Sequence, residues 1–187
     1  MGGELLQYLK KKGSMPEPIA RKIILQVIQA MLYCHSRGVV HRDLKLENVL
    51  FLSKEEDDMT VKVVDFGIAG MASEKVDAGT LPYMAPETLD RVAANTTPAI
   101  DVWALGVMLY TMIFGTLPFY SSDEKQLVKL IKESPVKFPK DQPITPLGKQ
   151  LIKDFLNKDL TKRTELIDFV TQEYNTMSAE DFEAQYA

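Results

Sequence analysis

The chain has 187 residues, 45% of them hydrophobic and 26% charged; that length fits one domain of roughly 100–200 residues, and the composition excludes disordered and collagen-like classes. One cysteine, Cys34, and two histidines, His35 and His41, exclude a disulfide framework and a cysteine-rich metal site, argue against zinc, and favour a reducing setting, intracellular and cytoplasmic. The formal net charge is −4; residues 164–187 hold six acids and no Lys or Arg, which leaves residues 1–163 at about +2, and neither part has the basic stripe of a nucleic-acid binder.

Met1-Gly2-Gly3 is like a myristoylation start, but Leu6 stands where Ser or Thr is wanted, and no basic stretch precedes an apolar core, so no targeting segment is read. Residues 4–12 form a short helix closed by Gly13, with Lys10, Lys11 and Lys12 solvated at its negative pole. A longer helix over 17–37 carries Ile19, Ile23, Val27 and Met31 on one face and stops at Gly38. Two short strands, 49–52 and 61–64, flank the polar segment 53–60 and read as a hairpin. Thr97 is placed to cap the next helix, with Pro98 at its first position. The solidly apolar part of that helix, 102–114, is 13 residues long and ends at Gly115 and Pro118. It is too short for about 30 Å of hydrocarbon, so it reads as a buried core helix and not a membrane span. Ser121 and Glu124 match a capping box for a helix near 123–133, and helices over 147–157 and 165–174 complete the set. The class is mainly α, with a short β-hairpin.

Chemistry-bearing residues concentrate between the long helix and the buried one. The segment His41-Arg42-Asp43-Leu44-Lys45-Leu46-Glu47-Asn48 puts a carboxylate, an ammonium and an amide oxygen just ahead of a strand, where one loop can present all three to one ligand. At the end of the second strand comes Asp65-Phe66-Gly67: Asp65 is a hard oxygen ligand of the kind magnesium prefers, and Gly67 permits a sharp turn. Ala85-Pro86-Glu87 comes next. Any one triplet arises by chance; the ordered set, with a hairpin between its parts and a buried helix after it, does not.

This ordered set resembles the C-terminal lobe of a eukaryotic Ser/Thr protein kinase, nearest to the cyclic-AMP-dependent and calcium/calmodulin-dependent groups. The resemblance runs from Gly2 to Arg163 and implies phosphoryl transfer from ATP, with Mg2+, to a protein Ser or Thr. It implies that residues 1–170 form the lobe and that 171–187 are an acidic segment, with Phe182 and Tyr186, forming either a last amphipathic helix or a docking tail. Carried over residue by residue, Asp43 would orient the substrate hydroxyl and accept its proton, and Lys45 would neutralise the transferring group. Asn48 and Asp65 would hold magnesium against the ATP phosphates. His41 and Phe66 would pack beneath the site, with Gly67 as the turn. Thr80 would hydrogen-bond Lys45 and Asp43, Asp101 would receive backbone N–H groups of the catalytic loop, and Glu87 would pair with Arg163. Leu50, Met108 and Met112 are like the apolar column beneath adenine, although methionines at helical spacing are first of all core. Trp103 and Cys34 read as packing residues.

Regulation and specificity stay open on the same resemblance. Arg42 would meet either a phosphate on Ser73 or a permanent acid, Glu74 or Asp77, unless those acids are simply solvated. Glu4 and Glu47 match acids that contact substrate arginines, and Glu4 also the ATP ribose, which implies a basic substrate unless both are solvated; Thr111 replaces a further acid of that set. None of the 40 residues before His41 supplies a Gly-rich phosphate loop, a strand lysine or its glutamate partner. The N-terminal lobe is therefore expected to be missing, the roof to expose apolar side chains, and catalysis by these residues alone to be weak. Three readings are compatible with this: a fragment of a Ser/Thr kinase, a non-catalytic pseudokinase-like module that docks proteins, or a half-kinase completed in trans by another chain.

Overall fold

In the computed structural model, residues 2–55, 57–71, 79–89, 97–163 and 165 are described. Strand β1 (Gly3–Glu4) leads straight into helix α1 (Leu5–Lys12). Gly13 ends α1 at φ 87°, a backbone region open mainly to glycine, and its N–H donates to the Leu9 carbonyl. Helix α2 (Glu17–His35) takes proline in its first turn, where no intrahelical N–H is lost, and stops two residues short of expectation because the chain turns through 36–38. Ile23, Val27 and Met31 are fully buried, and Ala20, Ile24 and Ile28 beside them widen the apolar face beyond one row.

Strand β2 (Val39–Val40) precedes the motif loop; β3 (Val49–Phe51) and β4 (Val61–Val63) form the expected antiparallel hairpin. Two pairings were not legible in the sequence. Strand β1 adds to the outside of β3, giving the order β1-β3-β4 with Glu4 opposite Leu50, and β2 pairs with β5 (Gly70–Met71). Gln26 fastens this sheet to α2: its amide donates to the Met59 carbonyl and accepts from Val61 N–H, each at 3.0 Å.

Helix α3 (Ala99–Phe114) is buried from Asp101 to Phe114 without a break, and packs on α2 and on α5 (Pro146–Phe155). Its apolar run thus covers the centre of the core, and among the described residues no helix is long and apolar enough to cross a membrane. Gly106 lets α5 come close: a Cβ there would lie 2.9 Å from Leu156 and Phe155. Two expected caps are corrected. Thr97 does not cap α3 with its side chain: the first-turn N–H groups of Ile100, Asp101 and Val102 bond the Thr97 and Pro98 backbone carbonyls, and the Thr97 hydroxyl is buried without a partner among the described residues. Helix α4 (Glu124–Glu133) is capped by Asp123, whose carboxylate accepts from Gln126 N–H at 2.7 Å, while Ser121 is spent on Asp123 N–H. Thr145 caps α5 through Gly148 N–H, and its own N–H and hydroxyl donate to buried Glu17, joining the starts of α5 and α2. The helix expected over 165–174, apart from Glu165, and the acidic segment 171–187 lie outside the described residues.

Candidate functional site

The site is hung from the first turn of α3. Asp101 is 1% exposed and accepts three hydrogen bonds: from His41 N–H at 2.9 Å, from Arg42 N–H at 3.0 Å and from His35 Nε2 at 2.8 Å. Arg42 sits at φ 72°, a left-handed conformation that costs a non-glycine residue about 1–3 kcal/mol unless its surroundings impose it. The Asp101 carboxylate holds the N–H groups on either side of the His41 Cα and so anchors the chain as it enters this turn. His41 is fully buried; its Nδ1 accepts from Asp43 N–H at 3.3 Å, so its other nitrogen, 3.2 Å from the Val64 carbonyl, carries the proton.

Beyond Arg42 the side chains close a polar ring. Lys45 Nζ donates to Asp43 Oδ2 at 2.7 Å and to Thr80 Oγ1 at 2.8 Å, and Thr80 Oγ1 donates to Asp43 Oδ1 at 2.7 Å. The ammonium thus sets the direction of the Thr80 hydroxyl, and both carboxylate oxygens are held. The 16% and 19% exposed side chains of Asp43 and Lys45 feel little screening. Asn48 donates its amide to the Asp43 carbonyl at 2.8 Å and accepts Val64 N–H on its own backbone carbonyl at 2.9 Å, which couples the loop to the end of β4. Asp65 comes next at φ 63°, exposed, with Oδ1 taking Gly67 N–H at 3.3 Å. Phe66 lays its ring on His41, centroids 4.6 Å apart, and stays 43% exposed.

The donor set fits magnesium. With its amide N–H committed to Asp43, Asn48 has its side-chain oxygen to offer, and Asp65 has a second carboxylate oxygen. Among the described residues no cluster of three or more His, Cys, Asp or Glu side chains forms a protein-only cage. That suits an ion that keeps several waters and binds through one or two carboxylates plus substrate phosphates.

Glu87 and Arg163 form a two-pronged pair at 2.5 and 2.9 Å, and the fully buried guanidinium also donates to the Ala99 and Asn157 carbonyls at 3.0 Å. Glu4 and Leu50 face each other across β1 and β3; Glu4 heads α1 and lines a cavity of about 250 Å³ with Lys11, Lys12 and Lys54. Glu47 keeps one buried oxygen without a hydrogen-bond partner among the described residues, and burial, with the Glu47 charge adding, pushes the Tyr83 phenol well above its ordinary value. Met108 and Met112 are fully buried core, and Thr111 spends its hydroxyl on the Val107 carbonyl of its own helix. Arg42 donates to the Met71 carbonyl at 2.9 Å, whereas Ser73, Glu74 and Asp77 lie outside the described residues.

Sequence reasoning missed two residues. His35, the last residue of α2, is the third partner of Asp101; the signal was a titratable group ending the helix that leads into the motif loop. Lys158 lies over the stacked rings of Trp103 and Phe119, at 5.3 and 4.3 Å, and donates to the Ile131 carbonyl in the last turn of α4. Burial, with Arg163 adding, lowers its ammonium to about 8. No local pattern marks it.

Comparison with known proteins places the same residues in a family. The protein kinase domain model matches residues 1–175. The chain is 37% identical over 176 residues to the cell cycle serine/threonine-protein kinase CDC5/MSD2 of Saccharomyces cerevisiae, covering 90% of this chain and 24% of that protein. It is 34% identical over 181 residues to testis-specific serine/threonine-protein kinase 2 of Mus musculus, covering 92% and 49%. It is 39% identical over 170 residues to CDPK-related kinase 4 of Arabidopsis thaliana, covering 87% and 28%. The chain thus spans between about a quarter and a half of the length of these curated relatives.

Proposed function

This chain belongs to the protein kinase family, among Ser/Thr kinases that use ATP, and from that premise we propose that residues 1–170 form the helical lobe that carries phosphoryl transfer to a protein Ser or Thr. The single observation behind the reading is the closed ring of Asp43, Lys45 and Thr80. A loose phosphoryl transition state asks for positioning and charge neutralisation more than for a strong base. Asp43, with both oxygens already oriented, holds the incoming hydroxyl. As its oxygen bonds to the γ-phosphorus and the bond to the β-phosphate oxygen breaks, the hydroxyl proton passes to Asp43 and ADP leaves. Lys45 faces the negative charge spread over the transferring group, and Thr80 keeps Lys45 and Asp43 in register. Magnesium, when bound, would supply charge neutralisation for the phosphates, and the Asn48 amide oxygen and the Asp65 carboxylate would hold it.

The reading extends to the rest of the cleft. No Gly-rich loop or strand lysine stands before His41, so the opposite wall of the ATP site is supplied by a second lobe, in cis or in trans, that covers the exposed face of Phe66. Misplacement by even 1 Å costs about 100-fold in rate, so these residues alone turn over slowly. Glu47, with one oxygen that has no hydrogen-bond partner among the described residues, supports a preference for basic substrates.

The test measures transfer of labelled γ-phosphate to a degenerate Ser/Thr peptide library, with a kinase N-terminal lobe supplied. Asp43→Asn is expected to lower kcat by about 100-fold or more at unchanged KM for ATP, and Asp65→Ala to abolish magnesium-dependent nucleotide binding measured by calorimetry. Full turnover in Asp43→Asn refutes the reading. Absence of magnesium-dependent nucleotide binding in the unsubstituted protein turns it toward a protein-docking module.

A further inference from the structure

Helix α1 and the loop that joins β3 to β4 enclose the cavity of about 250 Å³ that Glu4 borders. From the helix side come Tyr8, Lys11 and Lys12, which follow Glu4 at helical spacing; from the hairpin side come Phe51, Ser53, Lys54, Glu55 and Asp58. The Tyr8 and Phe51 rings, centroids 5.4 Å apart, are the apolar part of the wall. Ser53 is fixed through its backbone. Its carbonyl lies so close to Gly2 that a Cβ there would collide with the oxygen, and Leu52 N–H donates to the Thr60 carbonyl at 2.9 Å behind it. The Ser53 side-chain oxygen accepts Glu55 N–H at 3.1 Å, and among the described residues its own O–H proton has no acceptor.

We propose that Ser53 is a phosphorylation site, modified by a Ser/Thr kinase with a basic substrate groove, and that Lys11, Lys12 and Lys54 receive the phosphate in this cavity. Two independent observations carry the proposal. In the sequence, four of the five residues after Ser53 are acids, Glu55, Glu56, Asp57 and Asp58, a charge pattern that a basic groove selects. In the structure, the described residues of this loop belong to no helix or strand, so no ladder has to break for them to enter such a groove, and ammonium groups share the cavity with the hydroxyl. In the step itself Ser53 Oγ bonds to the γ-phosphorus of ATP and the bond to the β-phosphate oxygen breaks; ADP leaves, and the hydroxyl proton passes to the base of the modifying enzyme. The product carries a charge of about −1.5 to −2 and three acceptor oxygens. Three ammonium groups then favour the phosphate and the carboxylates of Glu4, Glu55 and Asp58 oppose it. Attraction wins because the long lysine stems turn toward the new charge, whereas Asp58 is tied to its own loop through Thr60 N–H at 2.9 Å and Glu55 is exposed to solvent. Lys11 and Lys12 stand in the last turn of α1, so the phosphate joins hairpin to helix by charge-assisted hydrogen bonds.

Ser53 is a substrate here and stands outside the ring around Asp43, so the proposal holds or fails independently of the kinase reading. The full chain is incubated with Mg-ATP and an acid-directed Ser/Thr kinase, and the modified positions are mapped by mass spectrometry. One phosphate is expected on Ser53, and none at that position in Ser53→Ala. Absence of phosphate at Ser53, under conditions in which an acidic reference peptide is fully modified, overturns the proposal. Phosphorus NMR then reads the receiving lysines. The second ionisation of a phosphoserine lies near pH 6, and neighbouring cations favour the dianion. The titration midpoint in the folded chain is therefore expected about 0.5 pH unit or more below that of the same phosphoprotein in concentrated urea. The combined variant Lys11→Gln, Lys12→Gln and Lys54→Gln, changed at exposed positions only, is expected to lose most of that difference. A folded-state midpoint at or above the unfolded one, or a shift that the lysine variant keeps, overturns the assignment of these three lysines.

Discussion

Arg163→Met tests how much of the fold hangs on one buried cation. Methionine keeps the apolar stem of the side chain, so the change isolates the guanidinium. Four hydrogen bonds go with it: two to Glu87, one to the Ala99 carbonyl at the start of α3, and one to the Asn157 carbonyl after α5. Breaking a buried ion pair costs about 3–5 kcal/mol, because the other charge is left uncompensated. Glu87, at 18% exposure, recovers part of that from water, whereas each carbonyl left without its donor costs about 1 kcal/mol or more. The expected loss is about 4 kcal/mol, which for a chain of this size lowers Tm by roughly 8–16 °C. Urea melts followed by Trp103 fluorescence measure it well, since the lone tryptophan lies 5.2 Å beneath the guanidinium and stacks on Phe119. The pairing adds a sharper requirement: Glu87→Gln combined with Arg163→Met costs less than the sum of the two single changes, by about 1–3 kcal/mol. A loss below about 1.5 kcal/mol for Arg163→Met, or strict additivity in the double variant, refutes the reasoning.

Two further expectations concern packing and pH. Gly106→Ala gains about 1 kcal/mol in helix propensity but drives a methyl to 2.9 Å from Leu156 and Phe155, and overpacking of that kind costs about 1–3 kcal/mol; a net loss of stability is expected in denaturant melts, and a gain shows that α5 moves away freely. Lys158 has its folded-state ammonium lowered to about 8 by burial and then by Arg163, against an ordinary value of about 10.4 in the unfolded chain. Between those values the unfolded state binds the extra proton, so stability rises with pH across that window, and below about 8 the protonated side chain bears the full desolvation cost. Solvent screening of a half-exposed ammonium reduces the effect to about 1–2 kcal/mol. The difference in unfolding free energy between the parent and Lys158→Met, followed from pH 7 to pH 10.5, reads it; a flat difference shows that attraction to the Trp103 and Phe119 rings holds the charge in place.

The sequence made the long elements and the order of the site legible, because both rest on local signals. Periodicity marked α2, an unbroken apolar run marked α3, and the spacing from Asp43 through Asn48 to Asp65 marked the loop and the strand exit that the structure joins through Val64 N–H and Asn48. The two-residue strands β1, β2 and β5 carry no period to read and exist only because tertiary packing brings a partner alongside. The caps expected at Thr97 and Ser121 do not form for a related reason: several hydroxyls and carboxylates near a helix start match the pattern, and backbone geometry alone chooses which meets a free N–H. His35 and Lys158 gain their roles from residues 66 and 27 positions away, a distance over which no local pattern speaks.

Asp65 carries an acidic side chain on a backbone shape that suits glycine or asparagine better, and its surroundings give it little in return: it is exposed and bonds to Gly67 within its own turn. Folding therefore does not defend this position. A library sorted purely for yield would drift toward Gly or Asn at 65 while losing the oxygen proposed to meet the metal, so stabilised descendants of this chain need a nucleotide-dependent sorting step to stay useful.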